Sequence, residues 1–142
     1  MSWKQKEITL QSNRKGFFLV TDQVLNQLPE ISSFNVGLLH LFIKHTSASL
    51  AINENADPTV REDLESHFDI MVPENASYYK HVFEGPDDMP AHIKSVMIGS
   101  TILIPISEGT LNLGTWQGIY LCEHRDNLLS RIVVATINGQ NI

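Results

Sequence analysis

Imidazole, carboxylate and amide side chains gather in three stretches of this chain. The first opens at His45, where an apolar run stops and Thr46-Ser47-Ala48-Ser49 follows. A histidine at the end of a rigid strand is well placed for proton transfer or metal ligation. The second is Asn53-Glu54-Asn55-Ala56-Asp57. In an extended segment Asn53, Asn55 and Asp57 share one face, and their oxygens can hold a cation or orient a substrate. Asp57 before Pro58 also reads as a plain helix start, since Asp caps and Pro suits the first helical position. In the third, His81 and His92 flank Glu84-Gly85-Pro86-Asp87-Asp88. Imidazole and carboxylate together are metal ligands, and a carboxylate beside a histidine also raises its pKa toward a working pH for acid/base chemistry. The spacing matches no compact metal motif such as HExxH, so a solvated acidic loop competes with both readings.

Other reactive residues read more plainly. His40, inside Leu39-His40-Leu41, is expected to be a core histidine. His67, four residues after Asp63, suits a helix end. Gly109 to Gly118 fits neither GxGxxG nor GxxxxGK[ST], and hairpin turns account for its glycines. Trp116 and Gln117 can still offer a stacking face and an amide to a ligand. Cys122, in an apolar run, reads as a buried inert thiol. Ser47 and Ser49 lie in no GxSxG elbow.

Strands dominate the elements that must position these groups. Residues 3–10 alternate and read as a strand. Phe17 to Val20 reads as a second, hairpin-paired with the first across Ser12–Gly16. Thr21-Asp22 offers a cap to a helix carrying Val24, Leu25 and Leu28. Asn35 to His45 is apolar enough for a central strand buried on both faces. Further strands are expected at 49–52, 101–106, 119–122 and 131–137. Helices are expected from Asp57-Pro58 to about Phe68 and from Pro90 to Gly99. This pattern predicts an α+β fold, a mainly antiparallel β-sandwich-like arrangement with a few short helices, as a single domain over 1–142.

Composition narrows the function classes. Ten Lys+Arg against sixteen Asp+Glu, a formal charge of −6, argues against nucleic-acid binding, which needs a basic stripe. The acidity is local: residues 54–88 hold ten acidic and two basic side chains, so that stretch favours a cation. No apolar segment approaches about 18 residues, so no membrane span is expected. One cysteine and no signal-type N-terminus point to the cytoplasm.

The motifs His45-Thr46-Ser47-Ala48-Ser49-Leu50, Asn53 to Pro58, Asp87-Asp88-Met89-Pro90-Ala91-His92-Ile93-Lys94, Gly114-Thr115-Trp116-Gln117-Gly118 and Glu123-His124-Arg125 resemble the YjbQ family, in order and over nearly the whole chain. The resemblance implies a sandwich-like fold, a homotrimer and a secondary thiamine-phosphate synthase activity. That reaction joins a pyrimidine pyrophosphate to a thiazole phosphate with release of pyrophosphate. It also points to His45, Asp57, His81, Asp88 and His92 as catalytic positions. Thr46, Ser47, Asn53, Asn55, Lys94, Trp116, Gln117 and Arg125 are the expected substrate contacts, with Lys94 and Arg125 on phosphate. Mg²⁺ would stabilise a pyrophosphate leaving group. Two other classes fit the same residues. One is a metal-dependent hydrolase holding Zn²⁺ or a similar ion on His45, His81 and His92. The other is a non-enzymatic trimeric module that binds a small phosphorylated or heteroaromatic metabolite.

Overall fold

Period-two apolar patterning builds two antiparallel sheets that face each other. The computed structural model describes residues 1–126 and 130–142. Numbered in chain order, β1 (Ser2–Gln11), β8 (Ser130–Asn141), β3 (Phe34–Ile43), β5 (Thr101–Ser107) and β6 (Thr110–Leu111) lie side by side in one sheet. The second sheet runs β2 (Gly16–Leu19), β7 (Gln117–Glu123), β4 (Ala48–Glu54). Leu39, Leu41, Ile104 and Val133 of the first sheet meet Leu50, Ile119 and Leu121 of the second in one core. The helices are α1 (Thr21–Gln27), α2 (Pro58–Met71) and α3 (Asp88–Ile98), with a 3-10 turn at Pro29–Ser33. The expected α+β class with mainly antiparallel sheets is therefore what forms.

Helices α2 and α3 cover the outer face of the second sheet. Phe68 of α2 packs on Phe17 of β2 with ring centroids 5.6 Å apart, and the Ser95 hydroxyl of α3 donates to the Ala48 carbonyl of β4. Strand β7 is consequently buried on both faces, with Ile119 and Leu121 in the core and Tyr120 and Cys122 on the alternate side. Burial pushes the Cys122 thiol pKa far up, which keeps it inert. Among the described residues no helix is long and apolar enough to cross a membrane.

Four expectations are corrected. β1 and β2 form no hairpin: β1 pairs with β8 and β2 with β7, so residues 12–15 carry the chain from one sheet to the other. Long-range pairing, with the two-phenylalanine strand packed under α2, overrides the local turn signal. β3 is central in its sheet but buried on one face only. Leu39, Leu41 and Ile43 point inward, while Val36, Leu38 and Phe42 are 60%, 45% and 40% exposed on the outer face. His40 alternates onto that outer face, half-buried, and is not a core histidine. Finally, Thr21 does not cap α1; its hydroxyl accepts the Ile119 amide at 2.9 Å and ties the helix to β7. The α1 glutamines serve β1 instead. The Gln27 side chain accepts from the Thr9 amide and donates to the Thr9 carbonyl, and Gln23 does the same at Gln11. These amides occupy backbone groups that an edge strand would otherwise leave open to another chain.

Candidate metal centre

The first turn of α3 assembles the third stretch. Gly85, at φ +103°, turns the chain before Pro86 and accepts the Asp88 amide at 3.3 Å. Asp88 and His92 then fall four apart on one helix face. The loop before the helix returns His81 to the same point. His81 Nε2 lies 2.6 Å and His92 Nε2 3.0 Å from the same carboxylate oxygen, Asp88 Oδ2. One ligand atom from each of His81, Asp88 and His92 lies within 4.8 Å of the others. Glu84 Oε2 approaches His81 Nε2 to 2.8 Å from the exposed side.

The outer contacts hold these groups in place. The other ring nitrogen of His92, Nδ1, faces the Thr46 carbonyl at 2.9 Å. A carbonyl only accepts, so Nδ1 carries the proton and donates. The other nitrogen, Nε2, faces a carboxylate oxygen. At 3.0 Å the pair is bridged by a cation, either the imidazole's own proton or a metal ion. Arg125 fixes the carboxylate from behind: one guanidinium nitrogen donates to Asp88 Oδ1, Nε reaches Asp87 Oδ2 at 2.9 Å, and the third reaches the Glu84 carbonyl at 3.0 Å. Burial alone would raise the Asp88 pKa. The His81 hydrogen bond and the charges of His92 and Arg125 outweigh it and hold the carboxyl below its ordinary range. Asp88, 3% exposed, is thus kept anionic and oriented.

Arg125 is itself held by a buried pair. The Glu123 carboxylate, fully buried, accepts the Arg125 amide at 3.1 Å and takes two bonds from the guanidinium of buried Arg131, Nε at 2.7 Å. Arg131 also donates to the Ser47 carbonyl at 3.2 Å.

The structure divides the other sequence-predicted residues. His45 adjoins the cluster through Thr46, but its Nε2 accepts the Ile132 amide at 2.8 Å, and it is not among the three grouped ligands. Burial and the Arg131 charge lower its pKa, so it stays neutral. Thr46 and Ser47 contribute backbone carbonyls, to His92 and to Arg131. Lys94 lies two residues beyond His92, on another face of α3, and pairs with Asp69 at 2.6 Å. Asn53, Asn55, Asp57, Trp116 and Gln117 sit at the far end of the second sheet. Ala48 of β4 pairs with Glu123 near the cluster, while Glu54 pairs with Gln117 six residues on, about 20 Å along the strand. There Asn53 accepts the Glu54 amide, Asn55 bonds the Thr115 and Gln117 carbonyls, and Gln117 accepts the Gly114 amide. Asp57 caps α2 through the Thr59 amide at 2.9 Å. Trp116 is left 65% exposed. Glu84 and Asp87 belong with the cluster beyond the expected set; the i,i+3 spacing from His81 to Glu84 carried the first, while Asp87 is recruited by Arg125 from 38 residues away.

Comparison with known proteins gives a consistent outcome. The family model described as "UPF0047 protein YjbQ-like" matches residues 6–140. The UPF0047 protein YjbQ of Escherichia coli O157:H7 is 52% identical over 97% of this chain and 99% of its own length. YugU of Bacillus subtilis is 36% identical over 72% of this chain and 80% of its own. A crystal structure of a protein of unknown function from Sulfolobus solfataricus superposes with a TM-score of 0.85 at 26% identity, covering 98% and 99% of the two chains. One from Clostridium acetobutylicum, an uncharacterized conserved protein, gives 0.79 at 39% identity over 91% and 97%.

Proposed function

The chain belongs to the UPF0047 YjbQ-like family, and from that premise we propose that it is a metal-dependent enzyme of hydrolytic type, with its ion held by His81, Asp88 and His92. The observation that carries this reading is the His92 ring. One nitrogen is committed to a backbone carbonyl, and the other faces an anionic oxygen at 3.0 Å. That pairing of an inner ligand with an outer backbone acceptor is how ligating histidines are oriented. Two imidazoles and one carboxylate suit Zn²⁺ or another transition ion better than Mg²⁺, which prefers an all-oxygen shell. A bound ion of this kind supplies an activated water or polarises a substrate oxygen. Arg125 keeps Asp88 oriented, Thr46 fixes the His92 tautomer, and exposed Glu84 stands where it can accept a proton. His45 acts as a support for β8 in this reading rather than as a ligand.

The thiamine-phosphate synthase activity implied by the resemblance is the alternative. It needs cations for two phosphorylated substrates, and Arg125 already spends its guanidinium on Asp87, Asp88 and the Glu84 carbonyl. The implied homotrimer is carried as a proposal too. The exposed apolar side chains Val36, Leu38, Phe42 and Leu103 on the outer sheet face support a second copy there. Light scattering at three times 16.0 kDa is the expected result. The lone buried Cys122 fits a reducing, cytoplasmic setting.

Elemental analysis of protein purified without a histidine tag tests the metal reading. About one transition ion per chain is expected, lost in His92→Ala and Asp88→Ala with an unchanged far-UV spectrum. A metal content well below one that chelation leaves unaltered, with no binding on adding Zn²⁺, overturns it. Metal bound without turnover of any phosphoester, amide or ester substrate leaves the non-enzymatic module as the better reading.

A further inference from the structure

The metal cluster adjoins a recess on the side of His81. That histidine, one of the three grouped ligands, also lines a cavity of about 250 Å³. Pro86 and Met89 line it from the start of α3, Met89 being the residue after Asp88. Tyr79 and Val82 line it from the loop between α2 and α3, on either side of His81.

These apolar side chains lie outside the core. Val82 is 54% exposed, and Tyr79 and Met89 are half-buried. The wall they form is nonetheless fixed. The Tyr79 hydroxyl donates to the Pro73 carbonyl at 2.8 Å, and its amide donates to the Ala76 carbonyl at 3.0 Å. Its ring meets that of Tyr78 edge-on, with centroids 5.2 Å apart. With the hydroxyl committed, the ring is the part of Tyr79 left for a ligand.

Charge and size select what fits. Among the described residues, none of the lining side chains is Lys, Arg, Asp or Glu, and Asn75 adds an uncharged amide. The acids stand at the cluster itself: Asp88 is held anionic, and Glu84 Oε2 lies 2.8 Å from His81 Nε2. Arg125, the cation of the cluster, already donates to Asp87, Asp88 and the Glu84 carbonyl. A phosphate or a second carboxylate entering here meets anions with no lining cation to offset them. An uncharged apolar group meets no such penalty, and a recess of apolar side chains beside a few polar groups is the usual form of a ligand pocket. A cavity of about 150 Å³ holds a benzene ring, so this one has room for a phenyl or branched alkyl group.

We infer that this recess is the acyl pocket of the metal site, an assignment that rests on the metal reading and narrows it. The substrate is an uncharged carboxylic ester or amide whose small apolar or aromatic group lies against Tyr79, Val82 and Met89. In its hydrolysis the oxygen of one water bonds to the acyl carbon and the bond to the leaving oxygen or nitrogen breaks. One proton of that water passes to the leaving alcohol or amine.

Two hydroxamates test the pocket without turnover. Acetohydroxamic and benzohydroxamic acid chelate Zn²⁺ through the same head group and differ as methyl against phenyl. In isothermal titration of the Zn²⁺-loaded protein, the phenyl compound is expected to bind about tenfold tighter. That ratio needs only about 60 Å² of apolar surface removed from water. Val82→Asp, at an exposed position where folding is not at stake, is expected to bring the ratio to about one with Zn²⁺ content unchanged. Turnover of para-nitrophenyl butyrate is expected to exceed that of para-nitrophenyl phosphate. Equal affinity for the two hydroxamates with Zn²⁺ bound overturns the acyl pocket and leaves the metal reading standing. So does an unchanged ratio in Val82→Asp, or preferred turnover of the phosphate. Absence of both Zn²⁺ and hydroxamate binding overturns the metal reading and the pocket with it.

Discussion

Replacing Arg131 by Met isolates the most deeply buried charge in the molecule. Glu123 lies in β7 of the second sheet and Arg131 in β8 of the first, so their pair also ties the two layers together. Both are almost inaccessible, at 0% and 3% exposure. Arg131→Met removes the partner and keeps most of the volume, leaving the carboxylate with the Arg125 amide as its remaining bond among the described residues. Breaking a buried pair from one side costs about 3–5 kcal/mol, because an uncompensated charge stays inside. For a chain of this length about 1 kcal/mol moves the melting temperature by roughly 3 °C, so the expected fall is about 10–15 °C. The double variant Arg131→Met/Glu123→Gln removes both charges and should regain more than half of the loss, since a neutral amide in that place costs far less. Urea unfolding followed by circular dichroism gives each stability and the coupling between them. A single variant costing under about 1 kcal/mol, or a double variant as damaging as the two singles added, would refute the reasoning.

Three further outcomes are expected. His124 folds with its pKa depressed from 6.5 to about 3, so the folded state binds fewer protons than the unfolded one between those values. Stability should therefore fall by up to about 1.4 kcal/mol per unit as pH drops through that window, and His124→Gln should flatten this slope in urea titrations at several pH values. Asp57→Ala should lower stability measurably through loss of the α2 cap while leaving metal content unchanged, as measured by unfolding and elemental analysis. A Cβ on Gly139 would meet the Val36 carbonyl at 2.3 Å and Gly37 Cα at 2.6 Å, so Gly139→Ala should destabilise by about 2 kcal/mol or more; a melting temperature equal to wild type would contradict the tight approach of β3 and β8.

Much of this fold is legible in the sequence because each cue is local and mutually consistent. Asp57-Pro58 starts a helix, Gly99 stops one, and alternation marks β1, β5 and β8. The site is legible in part for the same reason: Asp88 and His92 are one helical turn apart, and His81 lies in the adjoining loop. Partners distant in the chain give no such cue. Lys15 meets Asp69 across 54 residues and Arg125 meets Asp87 across 38, and no spacing rule links either pair. Sheet membership fails likewise. The turn at 12–16 is real, but it turns between layers rather than within one, because β2 finds β7 and not β1. The amide-rich stretch from Asn53 to Asp57 looks like a ligand cradle by residue type. In three dimensions its side chains are used up by backbone groups of the neighbouring turn and by the helix cap.

The pairing of β1 with β8 sets the order of events during synthesis. Residues 2–11 find their hydrogen-bonding partner only in residues 130–139, roughly 120 residues or more later. At about 5–20 residues per second, the first strand leaves the ribosome several seconds to tens of seconds before that partner exists. Until then one whole side of it is unpaired. Its lysines at positions 4 and 6, exposed on the folded strand, disfavour pairing of this waiting segment with other nascent chains. The closure of the first sheet therefore waits on β8, and its rate is set by a long loop rather than by any local turn.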